Sequence, residues 1–384
     1  MIIWFALLIP ILLTIGATLI TKSKVPVIAY ALPLAISLIL ITVCKGCSET
    51  IQTRDTEYWG SYVEKASYYE DWDERVSCRH PRYRTETRTR TVTDSKGKSS
   101  TETYTVQVHD GYYHSYDVDY HAPYWEAIDS QGHAINISKD TWEYYTSIFQ
   151  NKTFKDMHRD YHSDDGDTYE TEWNGKFETV QPVTMTHIYE NRVQASNSVF
   201  NYKELRDREK VGLYEYADKG VLNTPSVLPS GIPGEEDLEK MNALLGEKKQ
   251  VRVWMLVFNN QPREISKRQE AFWKGGNKNE LVICVGTNNG RDIAWAEVFS
   301  WTKREDLKVS VRDYLQSQKT LDIKSFTPWL TKEIESKWER RQFKEFSYLT
   351  VEPTPWAIGI TFVLTLIASV VSLVYITIAS PYQN

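Results

Sequence analysis

The sequence predicts an α+β membrane protein in which one large polar region is tethered at both ends by apolar helices. Three long uncharged runs each have the roughly 20 apolar residues that an α-helix needs to cross a hydrocarbon core. The first half of the polar region is rich in Tyr, Trp and Thr, with apolar residues spaced near two, and its second half alternates helix and strand patterns. The uncharged runs are 2–21, 25–44 and 355–380.

The first two runs predict an N-terminal transmembrane hairpin over residues 1–45. The first run lacks a basic start and a small-x-small cleavage site, which favours a retained helix over a cleaved signal peptide. The connection contains Lys22 and Lys24 without an acid, so the positive-inside rule favours a cytoplasmic loop and an extracytoplasmic polar region. Basic residues within 337–344 oppose this orientation, but long domains translocate largely regardless of charge. The helix at 355–380 would then leave the C-terminus in the cytoplasm.

Residues 48–205 predict a β-rich module, because Tyr, Trp and Thr fit a half-buried pleated surface. Two hairpins are expected within it. In the second, Asn174-Gly175 suits the positive φ angles of a type I′ turn. The predicted elements are a hairpin of 83–92 and 101–108, a hairpin of 169–173 and 176–180, and a helix at 139–150 with Ser138 as its N-cap.

After a linker at 206–233, residues 234–350 predict a layered α/β module. The run 251–258 is almost continuously apolar, as expected of a strand buried on both faces. Gly246 is placed to end the helix before it. The predicted order is a helix from 235, a strand at 251–258, a helix from 262 to Gly275-Gly276, strands at 280–286 and 293–301, and a helix at 304–316. A late helix over 322–346 would bring its basic end to the bilayer.

Parts of this module resemble the TPM domain of YgcG-like bacterial membrane proteins. The resemblance is limited to about residues 234–316. It rests on a helix at 237–245 that runs into strand 251–258, on Phe272-Trp273 followed by Gly275-Gly276 and Asn279, and on strand 281–286. The resemblance implies a strand-helix-strand core followed by a transmembrane helix, and phosphatase activity or metal binding near acidic loops in some members. The Asp usually expected before the first helix of the family does not occur within 222–234.

Two spans of the β-rich module that contain acidic residues and histidines are candidate metal sites. On a strand, three side chains of the first span would share one face, and three carboxylates of the second offer the closely spaced oxygens that calcium prefers. The alternative is a polar surface without an ion, since neither span matches a defined metal motif. The candidate ligands of a divalent metal such as calcium are Asp117, Asp119 and His121 in the first span and Asp164, Asp165 and Asp167 in the second.

Charge, cysteine spacing and missing motifs argue against several classes of function. A formal charge of −6 does not suggest a nucleic-acid partner. The four cysteines give neither a disulfide framework nor a zinc spacing, and Cys284 lies in an apolar strand pattern typical of a core residue. The sequence also lacks the Gly-x-Ser-x-Gly motif of a hydrolase nucleophile.

The leading hypothesis is a non-enzymatic interaction or assembly protein, integral to the membrane with three spans. Its two-module extracytoplasmic domain, tethered to the lipid bilayer at both ends, would bind another membrane or envelope protein. The alternative is a TPM-like, metal-dependent phosphatase that uses acidic loop residues. A solute or lipid carrier subunit is less favoured, because transport paths usually place polar or ionisable groups within the membrane.

Overall fold

The computed structural model describes residues 2–21, 27–93, 97–158, 161–196, 202, 204–217 and 222–379. The chain divides into two compact units. The larger unit comprises Met1–Gly60 and Thr184–Asn384, and the smaller unit comprises Ser61–Val183. The predicted loop residues Lys22 and Lys24 lie outside the described residues.

The described residues form both helices and strands, as an α+β class requires. The helices are α1 Leu8–Thr21, α2 Ile28–Thr53, α3 Lys139–Phe149, α4 Arg192–Ala195, α5 Asp207–Lys210, α6 Glu235–Lys249, α7 Glu264–Phe272, α8 Glu305–Ser317, α9 Ile323–Lys337 and α10 Pro355–Ala379, with 3-10 turns at Ile2–Leu7, Phe177–Thr179 and Phe343–Phe346. The strands are β1 Arg54–Tyr69, β2 Trp72–Ser77, β3 Pro81–Thr93, β4 Ser99–Tyr112, β5 Tyr116–His121, β6 Tyr124–Asp129, β7 Ala134–Asn136, β8 Thr153–Lys155, β9 Tyr161–Asp165, β10 Thr168–Glu172, β11 Pro182–Glu190, β12 Val227–Leu228, β13 Arg252–Asn259, β14 Glu280–Asn288 and β15 Asp292–Ser300.

Three helical segments of the larger unit are long and apolar enough to span a membrane, which confirms the prediction of three such helices. They pack on one another around a small apolar core of Ile3, Ala6 and Ile41. The helix of the second run continues past the predicted end at residue 44 and leads directly into β1. This extension is held at the start of the third segment, because the Thr354 backbone N–H donates to Ser48 Oγ over 3.1 Å. The segments are Ile2–Ile20, Ile28–Thr53 and Pro355–Ile376.

The α/β part of the larger unit is built on a four-stranded sheet in the order β12-β13-β14-β15, parallel except for the antiparallel β15. The predicted order of helix, strand, helix, strand, strand and helix over 235–317 is confirmed. Helices cover both faces of β13, because its odd-numbered apolar residues join a core with α6, α8 and α9 and its even-numbered ones join a core with α7. Continuous apolarity in this strand is therefore the result of two buried faces.

The prediction that Gly246 ends the first helix of this part is wrong. Helix α6 continues to Lys249, and Gln250 closes it with a left-handed φ of 49°. Gly246 is instead the point at which α6 packs on β1, since a Cβ atom there would collide with the Gly60 backbone. The absence of a side chain is needed for close approach rather than for helix termination.

The late helix ends earlier than predicted. Helix α9 stops at Lys337, with Asp322 as its N-cap, and Phe343–Phe346 form a separate 3-10 turn. Arg340 lies between them, and its guanidinium donates to Gln250 and to the buried carboxylate of Glu57. Arg340, expected to lie at the basic end of this helix near the bilayer, therefore forms an internal ion pair with Glu57. The segment 206–233, expected to be a linker, supplies β12 to the sheet.

The smaller unit contains a sheet in the order β7-β6-β1-β10-β8. Helix α3 buries Trp142, Tyr145 and Phe149, and the Trp142 ring lies 5.6 Å from the Tyr68 ring of β1. The helix predicted at 139–150 is confirmed, as is its cap: Ser138 Oγ accepts from the Thr141 backbone N–H over 3.1 Å.

Of the two predicted hairpins, the first is confirmed and the second is wrong. Strands β3 and β4 pair antiparallel along their whole length. Strand β10 pairs instead with β1 and β8, so neither edge is left for residues 176–180. The Asn174 side chain donates to the Phe149 carbonyl of α3 and accepts from Lys176 N. These bonds shape a loop that leads into the 3-10 turn in place of a type I′ turn.

Candidate metal centre

The topology of the smaller unit brings together two chain segments that are distant in sequence. Strand β2 pairs with β5, and β3 pairs with β4. The β2–β3 junction, residues 78–80, must therefore meet the β4–β5 junction, residues 113–115. A bond from the Tyr113 backbone N–H to the His80 carbonyl, at 3.1 Å, joins the two junctions.

Four potential metal ligands converge where these junctions meet. One ligand atom from each of Cys78, His80, His114 and Asp117 lies within 4.8 Å of the other three. Cys78 is buried, Asp117 is half-buried, and both histidines are exposed. The Cys78 Sγ and His114 Nε2 atoms are 3.8 Å apart, and His80 Nδ1 is 3.2 Å from Asp117 Oδ1.

Backbone groups orient the members of this cluster. His114 Nδ1 is 2.7 Å from the Tyr116 carbonyl, an acceptor only, so this nitrogen carries a proton and Nε2 is the ring nitrogen that faces Cys78. The Arg79 backbone N–H donates to Asp117 Oδ2 and is the main reason that the pKa of Asp117 lies below its usual range, although desolvation opposes it. Cys78 Sγ accepts from the His80 backbone N–H over 3.4 Å.

The cluster borders a surface depression of about 480 Å³. His80 and His114 therefore face solvent, while the sulfur lies behind them. The depression gives solvent access to two of the four ligands, His80 and His114. The lining residues are Arg79, His80, Pro81, Tyr113 and His114.

The residues predicted in the first span lie on one face of β5, as their alternation with exposed residues indicates. Only Asp117 joins the cluster. The Asp119 carboxylate is bound by the Arg79 guanidinium, and His121 Nε2 is 3.2 Å from Glu74 Oε2 with its ring stacked on Trp72. Residues two apart on a strand are about 6.6 Å apart, so a shared face alone does not bring side chains to one ion.

In the second span, Asp165 lies with Asp156 and His158, which each offer a ligand atom within 4.8 Å. The other predicted aspartates have different neighbours: Ser163 Oγ is 3.4 Å from Asp164 Oδ2, and the Met157 backbone N–H donates to Asp167 Oδ1 over 3.0 Å. Asp160 in the same span lies outside the described residues.

Of the four cluster members only Asp117 is among the predicted ligands, and Cys78 and His80 also lie outside both predicted spans. They are separated from His114 and Asp117 by an entire hairpin, so no short motif contains all four. The register of that hairpin was the available signal. Pro81 is paired with Tyr112, the last residue of β4, so His80 lies at the β4–β5 junction.

Comparison of the chain with protein-family models, with curated proteins and with solved structures finds no match. The resemblance to the TPM domain therefore stays a prediction.

Proposed function

We propose that this protein is an integral membrane protein with three spans and a non-enzymatic role in interaction or assembly. Its two modules would face the extracytoplasmic side and bind another membrane or envelope protein. Support for the double tether comes from the bond between Ser48 and Thr354, which joins the end of α2 to the segment that enters α10. The polar region would therefore leave and re-enter the bilayer at neighbouring points. The sidedness rests on Lys22 and Lys24 in the short loop.

The observation that carries the proposal is the ribbon, which we define as β3 and β4 together. Within the described residues these strands pair only with each other, and most of their side chains are exposed. A two-stranded hairpin is marginally stable in water unless it packs on something else. Because most of its side chains are exposed, a ribbon of this length contributes little to a hydrophobic core. This favours a role in recognition.

The register gives the ribbon two chemically different faces. On one face, Arg88 is opposite Tyr104 and Arg90 is opposite Glu102. On the other, Thr87, Thr89 and Thr91 are each opposite another threonine. Arg and Tyr are enriched among the residues that dominate binding energy at protein interfaces. We therefore assign the partner to the Arg/Tyr face and use the threonine face as a matched control.

Site-specific photocrosslinking in native membranes tests this assignment. A photoreactive residue at position 104 should give one discrete adduct with a membrane-associated protein, and the same residue at position 103, on the threonine face, should not. Arg88→Ala should reduce the adduct at position 104, whereas Thr89→Ala should leave it unchanged. Equal adducts from both faces, or none from position 104, would contradict the proposal.

The phosphatase alternative is tested on the purified full-length protein in detergent. Hydrolysis of a phosphate ester that is lost on chelation and in Asp292→Asn would replace the interaction proposal with the enzymatic one. Asp292 is the appropriate target because it begins β15 within the TPM-like region and is exposed. Turnover that survives this substitution would point away from that region.

A further inference from the structure

The cluster at the base of the ribbon has the donor chemistry of a transition-metal site. We propose that Cys78, His80, His114 and Asp117 bind one zinc ion, which links the two chain junctions from which the ribbon extends. Thiolate, imidazole and carboxylate are all ligands of zinc, and four protein ligands are the usual number at structural zinc sites. Calcium prefers six to eight oxygen ligands, which this cluster does not offer.

The distances already approach those of a tetrahedral site. With bonds of about 2.3 Å to sulfur and about 2.0 Å to nitrogen, neighbouring ligand atoms around zinc are about 3.3 to 3.5 Å apart. Cys78 Sγ and His114 Nε2 are 3.8 Å apart, and His80 Nδ1 is 3.2 Å from Asp117 Oδ1. All four ligand atoms lie within 4.8 Å of one another, so side-chain shifts of up to about 1 Å would bring the widest pairs to tetrahedral spacing.

The hydrogen bonds around the cluster are those that a metal site requires. A histidine ligand usually donates its second ring N–H to a carbonyl or carboxylate, which fixes its tautomer. His114 has this arrangement with the Tyr116 carbonyl at 2.7 Å. Asp117 Oδ2 accepts from the Arg79 backbone N–H, whereas Asp117 Oδ1 lies 3.2 Å from His80 Nδ1 and 3.3 Å from His114 Nδ1. A bound ion would take the place of the direct contact between Oδ1 and His80 Nδ1. The His80 backbone N–H also donates to Cys78 Sγ over 3.4 Å. Nearby backbone groups therefore position three of the four ligands, namely Cys78, His114 and Asp117.

The location gives the ion a structural role. Cys78 and His80 precede β3, whereas His114 and Asp117 follow β4, so an ion bound to all four closes the loop that contains the ribbon. Binding of zinc to the thiol releases the thiol proton to solvent. Because binding to the folded site stabilises it, the ion would order the base of the ribbon.

Cobalt titration of the chelator-treated, full-length protein in detergent tests the site. Co²⁺ reports on its ligands, because a thiolate ligand gives a charge-transfer band and four-coordination gives intense visible bands. We expect one Co²⁺ per chain, displaced by Zn²⁺. Cys78→Ser should abolish the charge-transfer band, and Asp117→Asn and His114→Ala should each weaken zinc binding by about tenfold or more.

Three controls separate this site from other ligands. Cys47→Ser removes an exposed thiol, His109→Ala removes an exposed imidazole of the ribbon, and His158→Ala removes a member of the second acidic group. All three should leave the cobalt spectrum unchanged. If Cys78→Ser fails to fold, the affinities of Asp117→Asn and His114→Ala decide the question. A charge-transfer band that survives Cys78→Ser, or the absence of four-coordinate bands in the unaltered protein, would overturn the proposal.

Discussion

Two pairs of neighbouring strands, β13–β14 in the larger unit and the ribbon in the smaller, are stabilised in different ways. Almost every residue of β13 and β14 is buried, whereas most residues of the ribbon are exposed. The first pair is held by apolar area removed from water, at roughly 25 cal/mol per Å². The ribbon depends on backbone bonds and cross-strand side-chain pairs, which contribute roughly 0.2 to 1 kcal/mol each.

The difference separates stability from recognition. Side chains on β13 cannot change without loss of packing, because two helical layers cover its faces. Those on the ribbon can change at small cost, so its sequence is free to match a partner. The zinc site proposed at its base would supply some of the order that the ribbon lacks from packing.

The largest expected effect on stability comes from the packing of α6, one of the helices that cover β13. Gly246→Ala places a Cβ atom against the Gly60 backbone, which cannot move away without displacing β1. We expect a loss of about 3 kcal/mol in the free energy of unfolding of the larger unit, at the upper end of overpacking effects. Urea unfolding in detergent, followed by tryptophan fluorescence, measures it. Gly46→Ala, at a helical glycine with open space around it, should be neutral or stabilising; similar losses in both variants would refute the argument.

A matched pair of valine substitutions tests the contrast itself. Val253 in β13 is 0% exposed, and Val92 in the ribbon is 39% exposed. Val253→Ala should cost about 2 kcal/mol for the lost methyl groups and the cavity they leave. Val92→Ala should change stability by less than about 0.5 kcal/mol. Hydrogen exchange measured by mass spectrometry on the full chain gives the local effect of each, and equal effects would break the comparison.

The same contrast explains which parts of the fold the sequence could predict. The three apolar helices, the strand-helix order over 235–317 and the β3–β4 hairpin follow from local patterns. The second hairpin does not, because the signal of Asn174-Gly175 is local while the partner of β10 is set by β1 and β8. Gly246 is similar, since its role depends on contact with Gly60.

The candidate site was only partly predictable for the same reason. Asp117 could be selected from its neighbours in sequence and from the alternation of β5. Cys78 and His80 could not, because a hairpin of intervening chain separates them from His114. Ligands brought together by strand register are found only after the register is known.

A buried carboxyl in the β13–β14 strand pair should make the free energy of unfolding of the larger unit depend on pH. Glu280 at the start of β14 accepts from Asn277 N, the Tyr216 hydroxyl and Trp254 Nε1, at 2.7 to 3.1 Å. Burial nevertheless raises the pKa of Glu280 above its usual range. The folded state therefore binds this proton more tightly than the unfolded state. The contribution of this proton to the stability of the folded state is complete below the pKa of Glu280 in the unfolded state. It is lost as the pH rises through the pKa of Glu280 in the folded state.

Urea unfolding between pH 7 and pH 5 measures this dependence. The larger unit should gain stability from Glu280 as the pH falls, and Glu280→Gln should flatten the slope, because its amide does not titrate. Glu178→Gln, at an exposed glutamate of the smaller unit, serves as the control. A slope that Glu280→Gln leaves intact would assign the dependence to other groups.

The smallest expected effect is on an ion pair of the ribbon. Arg90 and Glu102 are directly opposite, with an Nη2–Oε2 distance of 2.7 Å, and their side chains are 63% and 55% exposed. A double-mutant cycle with Arg90→Ala and Glu102→Ala should give a coupling free energy of about 0.2 to 1 kcal/mol. Because solvent surrounds both charges, the coupling should fall toward zero in about 1 M salt. A coupling that persists in high salt would mean that this face of the ribbon is shielded from water, as it would be under a bound partner. Repeating the cycle on the chain purified without that partner would distinguish the covered face from the free one.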